Sequence, residues 1–263
     1  MKSDACADGR EAVPEREVRY RWAASILAGD TVLDAACGRG WGTARLASRA
    51  ARTVGVDLSP GAIADARREH GDRAEFREGD LRQLPFGDDE FDSVVCFEAI
   101  THVADPGQAL DELRRVLRAG GVLLISSPNR DAYPPGNPLH LSETSSAELE
   151  QLLHARFRNV AVYGQQTYVA SLLADTAVPG RQNPDEPTSV KVTRAAAGPL
   201  GSEAHSVAVA SDEELPPAPA WLAIGEEVDR QAQRRLLEEW QERAMQAEAE
   251  ALALRKELRD LQS

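Results

Sequence analysis

Basic residues are in short supply: 30 lysines and arginines stand against 43 aspartates and glutamates, leaving a net charge of −13. A field of that sign repels a phosphate backbone, so no nucleic-acid partner is expected. Cysteine is scarce as well. Cys6, Cys37 and Cys96 are scattered and form no CxxC pair, which argues against a disulfide framework and against a zinc site. The thiols read as reduced and the compartment as cytoplasmic. No apolar run approaches the length that spans a bilayer, and Met1-Lys2-Ser3-Asp4-Ala5-Cys6 lacks the apolar stretch of a signal peptide, so no membrane partner is expected. What is present is an ordinary balance, 42% hydrophobic and 28% charged over 263 residues. That suffices for one well-buried core with an appendage, and is short for two full domains.

Residues 1–16 are polar and weakly patterned, a flexible lead-in. From Val18 to Leu27 the apolar residues recur at helical spacing and stop at Gly29. The period then switches repeatedly. Strands are predicted at Thr31–Ala36, Thr53–Val56, Ala74–Arg77, Asp92–Phe97 and Val122–Ser126, with two more at Arg158–Tyr163 and Ser206–Ala210. Between them lie a helical stretch from Thr43 to Arg49 and a helix opened by Ser59-Pro60. A third helix starts at Asp105-Pro106 and is expected to end at Arg118-Ala119-Gly120-Gly121; a fourth is capped by Ser145 or Ser146. Such alternation implies parallel pairing and a doubly wound α/β sheet of seven strands, Rossmann-like, over residues 17–212. Residues 164–204 are rich in Pro, Gly, Asn and Thr and read as an insertion or lid. A Pro-rich linker, 213–224, leads to a breaker-free C-terminal helix, 225–263. Leu237, Ala244, Ala251 and Leu258 fall seven apart there, as do Trp240, Ala247, Leu254 and Leu261. That stripe fits a helix lying on its own domain or a coiled coil that makes a homodimer.

The most informative stretch is Val32-Leu33-Asp34-Ala35-Ala36-Cys37-Gly38-Arg39-Gly40-Trp41-Gly42-Thr43, a strand running into Gly-x-Gly-x-Gly and then a helix. The glycines allow a sharp turn and let a ligand approach the backbone amides. Asp57 closes the next strand, 17 residues beyond Gly40, where a carboxylate can accept both hydroxyl protons of a ribose. By itself this suits NAD or S-adenosylmethionine. Asp34 tilts the choice, because an acid there could hold an ammonium group and would repel a pyrophosphate. Gly79-Asp80-Leu81 places a further carboxylate where an adenine amino group could donate.

On these residues, with Val54-Gly55-Val56-Asp57, Phe91–Glu98 and Arg115-Val116-Leu117-Arg118-Ala119-Gly120-Gly121, the chain resembles class I S-adenosylmethionine-dependent methyltransferases of the ubiquinone/menaquinone-methylase-like group. Ser127-Pro128-Asn129, Asn137-Pro138-Leu139-His140-Leu141-Ser142-Glu143 and Gly164-Gln165 resemble members associated with sugar or glycan methylation. The resemblance implies that Gly38 and Gly40 face the methionine part, Asp34 its amino group, Asp57 with Leu58 the ribose side, and Asp80 with Leu81 the adenine. Cys96, Phe97 and Glu98 would floor the sulfonium, and Tyr20 would cover the cofactor. One departure stands out: relatives carry an acid directly before the His-Val of the loop after the fourth strand, and here Thr101 precedes His102.

Methyl transfer to a hydroxyl needs a proton acceptor. His102 follows the fourth strand, at the edge where doubly wound sheets bind ligands, and its ordinary pKa suits proton uptake at neutral pH. His140 is the second candidate, with Tyr133, Asn137 and Glu143 of its loop as acceptor contacts. His70, His154 and His205 sit in helix or strand contexts away from that edge and read as structural. A metal has no local ligand spacing to support it. The leading expectation is O-methylation of a small-molecule acceptor, a sugar or glycosylated natural product, with N-methylation of an amino sugar or amine behind it. An NAD-dependent oxidoreductase and a non-catalytic scaffold are the rival classes.

Overall fold

The computed structural model describes residues 14–27, 31–132, 140–166 and 203–218. In chain order these form α1 (Pro14–Ile26), β1 (Thr31–Ala35), α2 (Trp41–Leu46), β2 (Arg52–Asp57), α3 (Pro60–His70), β3 (Glu75–Glu78) and β4 (Phe91–Phe97). A 3-10 turn (Ile100–His102), α4 (Pro106–Val116), β5 (Leu117–Pro128), α5 (Ser146–His154), β6 (Asn159–Gln165) and β7 (His205–Ser211) follow. The expected central part of the lid (residues 167–202) and the C-terminal helix with its dimer seam lie outside the described residues.

The seven strands make one sheet in the order β3-β2-β1-β4-β5-β7-β6. Strands β1 to β5 pair in parallel, as the alternation implies. Strand β7 departs from that rule: it slots between β5 and β6 and runs antiparallel to both. The strand order reverses at β1/β4, which opens a crevice beyond the carboxyl ends of these two strands.

Both faces of the sheet are covered, so its central strands are apolar on both sides. Along β4, Val94 and Cys96 join Leu110, Leu113, Leu149 and Leu153 on the α4/α5 face, while Val95 and Phe97 join Tyr20, Trp22, Ile26 and Leu46 on the α1/α2 face. Strand β5 divides in the same way, Leu123 and Ile125 against Val122 and Leu124. The period of two in side-chain direction thus builds two cores from one continuous apolar run.

Caps set the helix starts. Ser59 accepts from the amide of Ala62, Asp105 from those of Gly107 and Gln108, and Ser145 forms a reciprocal capping box with Glu148. Boundaries differ from expectation at α1, which already starts at Pro14, at α2, which spans Trp41–Leu46 rather than Thr43–Arg49, and most at the end of α4. Helix α4 stops at Val116, before the Gly-Gly pair, because Leu117 is already extended and pairs with Phe91 of β4. Gly120, at φ +75°, turns the chain inside the start of β5 instead of capping a helix.

Candidate active site

The loop after β1 is held open by short contacts. Asp57 accepts from the backbone N–H of Gly38 at 2.8 Å and of Ser59 at 2.9 Å, so one carboxylate ties the glycine loop to the start of α3. Gly38 has φ +55°, and a Cβ placed on it would meet no heavy atom within 4 Å, which leaves open space above the loop. Leu58, beside Asp57, is 68% exposed and supplies an apolar surface next to that carboxylate. Asp80 accepts from the backbone and guanidinium of Arg82, whose charge and hydrogen bonds hold its carboxyl below the ordinary range.

Asp34, at the end of β1, is fully enclosed. It accepts from the Tyr20 hydroxyl at 3.0 Å and from the Thr43 hydroxyl at 2.6 Å. Burial pushes its carboxyl up to about 7, and the two hydroxyl donors partly oppose that shift. The Tyr20 ring in turn packs edge-on against Trp41 and Phe97.

On the far side of β4, two loops are stitched together. The buried Thr101 carbonyl accepts from the amides of Leu141 (2.8 Å) and Ser142 (3.2 Å). That tie brings the His140 ring to 5.5 Å from the His102 ring, edge-on, and sets Nδ1 of His140 2.9 Å from Oε1 of Glu143. Thr101 also donates its hydroxyl to the Glu98 carbonyl. An acid in its place would carry a charge into a site with 1% exposure. A pocket of about 440 Å³ opens beside Glu143, with Arg130, Thr144 and Gln151 among its walls.

Residues 33–125 match the family model described as a methyltransferase domain. A relative from Mycolicibacterium smegmatis, named a probable S-adenosylmethionine-dependent methyltransferase, is 42% identical over 52% of this chain and 55% of its own. Over about half its length the chain is thus similar to S-adenosylmethionine-dependent methyltransferases. An O-methyltransferase of Penicillium expansum, cnsE, is 34% identical over 47% of this chain and 46% of its own. The chain spans about half the length of such curated relatives. In fold, it resembles the protein solved in complex with the Haloferax volcanii Trm112 methyltransferase activator, with TM-score 0.56 and 22% identity over 80% of this chain and 96% of that one.

The residues of the glycine loop fit a sulfonium nucleoside of the kind these relatives are named for: space over Gly38, a carboxylate at Asp57 for a diol, and an apolar shelf at Leu58. Packing constrains several of the expected contacts. The α-carbon of Gly40 faces the Phe76 ring and Ala66, where a Cβ would stand 2.5 Å from the nearest ring atom, so packing demands this glycine. Cys96 is fully buried in the α4/α5 core and cannot floor the crevice with its side chain; its thiol is pushed up to about 12 by that burial. Asp34 is sealed by Tyr20 and Thr43, so a direct ammonium contact requires Tyr20 to move. Leu81 packs half-buried against the same core as Cys96. Tyr133 and Asn137 lie outside the described residues.

One histidine was placed wrongly by the sequence. His205 opens β7, and because β7 runs antiparallel its first residue reaches the edge where β5 and β6 end, opposite Pro128 and Gln165. There it faces Glu98. Arg19, Glu98 and His205 form a polar group that no spacing in the sequence announced. The one legible signal was Glu98 directly after a fourth strand.

Proposed function

We propose that the protein moves the methyl group of S-adenosylmethionine to a hydroxyl of a small molecule, a sugar or a glycosylated natural product. The observation that carries this reading is the His140–Glu143 pair set beside His102 at the carboxyl edge of the sheet. Glu143 at Nδ1 orients the ring and favours the tautomer in which Nε2 accepts the proton. His102 packs on that ring and is the alternative base. The similarity to an O-methyltransferase supports the same acceptor atom.

The cofactor supplies an electrophilic methyl on a good leaving group. The protein's own task is to align the acceptor, exclude water and take one proton. Alignment can lower the barrier by about 7–11 kcal/mol, and a positioned base adds about 10²–10⁴-fold. Asp57, held in place by the amides of Gly38 and Ser59, fixes the nucleoside end, while the Thr101 tie fixes the histidines.

Calorimetry with S-adenosylmethionine and S-adenosylhomocysteine, then a mass-spectrometric screen of hydroxylated and aminated sugars, tests the reading. Binding of both nucleosides and a gain of one methyl on a hydroxyl is expected. Gain on amines alone replaces O- with N-methylation, and binding of NAD in place of either nucleoside rejects methyl transfer.

A further inference from the structure

Glu98 follows β4 directly and holds a left-handed backbone, φ +61°, without being glycine. Such a conformation persists only where surrounding contacts enforce it, and it is concentrated at functional positions. Here the contacts are explicit. The Glu98 amide donates to the Ser126 carbonyl and hydroxyl, both at 3.1 Å. Its Oε1 accepts from the Ser126 hydroxyl at 2.8 Å and pairs with Nη1 of Arg19 at 3.1 Å. Arg19 is itself buried and donates to Gln165 at the end of β6.

The second oxygen is arranged differently. Oε2 stands 3.6 Å from Nε2 of His205, outside hydrogen-bonding distance, and the side chain keeps 20% of its surface exposed. A carboxylate offers about four lone-pair directions, and Oε1 alone has two donors. Residues of α1, β5 and β7 therefore converge on one carboxylate at the end of β4 whose side chain stays one-fifth exposed, three residues before the Thr101 that ties down the histidine loop.

We propose that Glu98 anchors the acceptor, its Oε2 taking a hydrogen bond from a hydroxyl or ammonium group, and that Arg19 and His205 are positioning residues for it. This rests on the methyl-transfer reading and narrows the acceptor to neutral polyols and amino sugars, against acidic sugars. A carboxylate attracts donors and cations and repels anions, so selection follows from charge.

The test measures glucose, glucosamine and glucuronate binding to the full chain saturated with S-adenosylhomocysteine, by ligand-observed NMR titration. Glucosamine and glucose should bind and glucuronate should bind least. Glu98→Gln, which keeps shape and removes charge, should at saturating S-adenosylhomocysteine weaken glucosamine by about 10-fold or more and abolish its preference over glucuronate. His205→Asn should weaken both sugars several-fold, and His205→Gln, whose amide reaches the Nε2 position, should restore them. Retention of wild-type affinities and order in Glu98→Gln overturns the proposal, as does failure of glucose and glucosamine to bind the loaded wild type. If S-adenosylhomocysteine itself does not bind, the methyl-transfer reading falls first and takes this one with it.

Discussion

The two sides of the crevice are built by different means. On the β1–β3 side, the contacts join residues close in sequence: Asp34 to Thr43, Gly38 to Asp57, Asp80 to Arg82. On the β4–β7 side they join distant ones, with Arg19 reaching Gln165 across 146 positions and Asn129 reaching Glu203 across 74. The side proposed for the nucleoside is thus carried by local turns and caps that one motif can encode. The side proposed for the acceptor is assembled from α1, loops and two late strands, whose partners lie far apart in the chain. A shared fold can keep the first side while the second changes, because replacing a distant partner leaves the glycine loop untouched.

The largest expected effect falls on the acceptor side alone. His140→Ala should lower turnover of a hydroxyl acceptor found by the screen by about 10²–10⁴-fold, while calorimetry shows S-adenosylmethionine binding unchanged. Equal turnover in the variant moves the role of base to His102. The mirror experiment is Asp57→Ala. Loss of hydrogen bonds to a charged group, with slackening of the Gly38 loop, should weaken S-adenosylhomocysteine by about 10–100-fold. An unchanged affinity would break the comparison, since the nucleoside side would then be held by something else.

A third expectation concerns pH. The Asp34 carboxyl is raised in the folded state from 3.8 to about 7, so its contribution to stability is complete below about pH 4 and is lost as the pH rises through 7. Melting temperatures compared between pH 5.5 and 8 should fall more in the wild type than in Asp34→Asn. The difference should be on the order of a few kcal/mol for a fully buried group. A parallel profile in the two proteins would show that Asp34 is ionised across that range. The smallest effect is expected at Ala36, which holds φ +63° in the glycine loop. Ala36→Gly relieves a left-handed strain of about 1–2 kcal/mol and adds back about 0.5–1 kcal/mol of chain entropy, for a net gain below about 1.5 kcal/mol. Thermal unfolding should show a rise of a few degrees or less.

Much of the architecture could be read from the sequence because its signals are short-range. Alternating and continuous apolar runs marked all seven strands, and Ser59-Pro60, Asp105-Pro106 and Ser145 marked helix starts through bonds to amides two or three residues on. The end of α4 was misread because a long-range partner, Phe91, captured Leu117 before the glycines were reached. That Gly40 must also be glycine for packing could not be read, because a motif does not say which side of the α-carbon another strand occupies; Phe76 of β3 takes the Cβ side. Cys96 was read as floor because strand parity cannot distinguish a core face from a crevice end.

By itself, then, the sequence determined the strand–helix alternation, the glycine turn and the carboxylate at Asp57, all of which follow from local dihedral preferences and neighbouring hydrogen bonds. Only the tertiary structure decided that β7 runs backwards and delivers His205 to Glu98, that Arg19 closes the same group from α1, and that Thr101 brings His140 to His102. Strand direction and charge pairing of this kind depend on which buried surfaces meet after the chain has packed, and a linear pattern of polar and apolar residues does not specify that meeting.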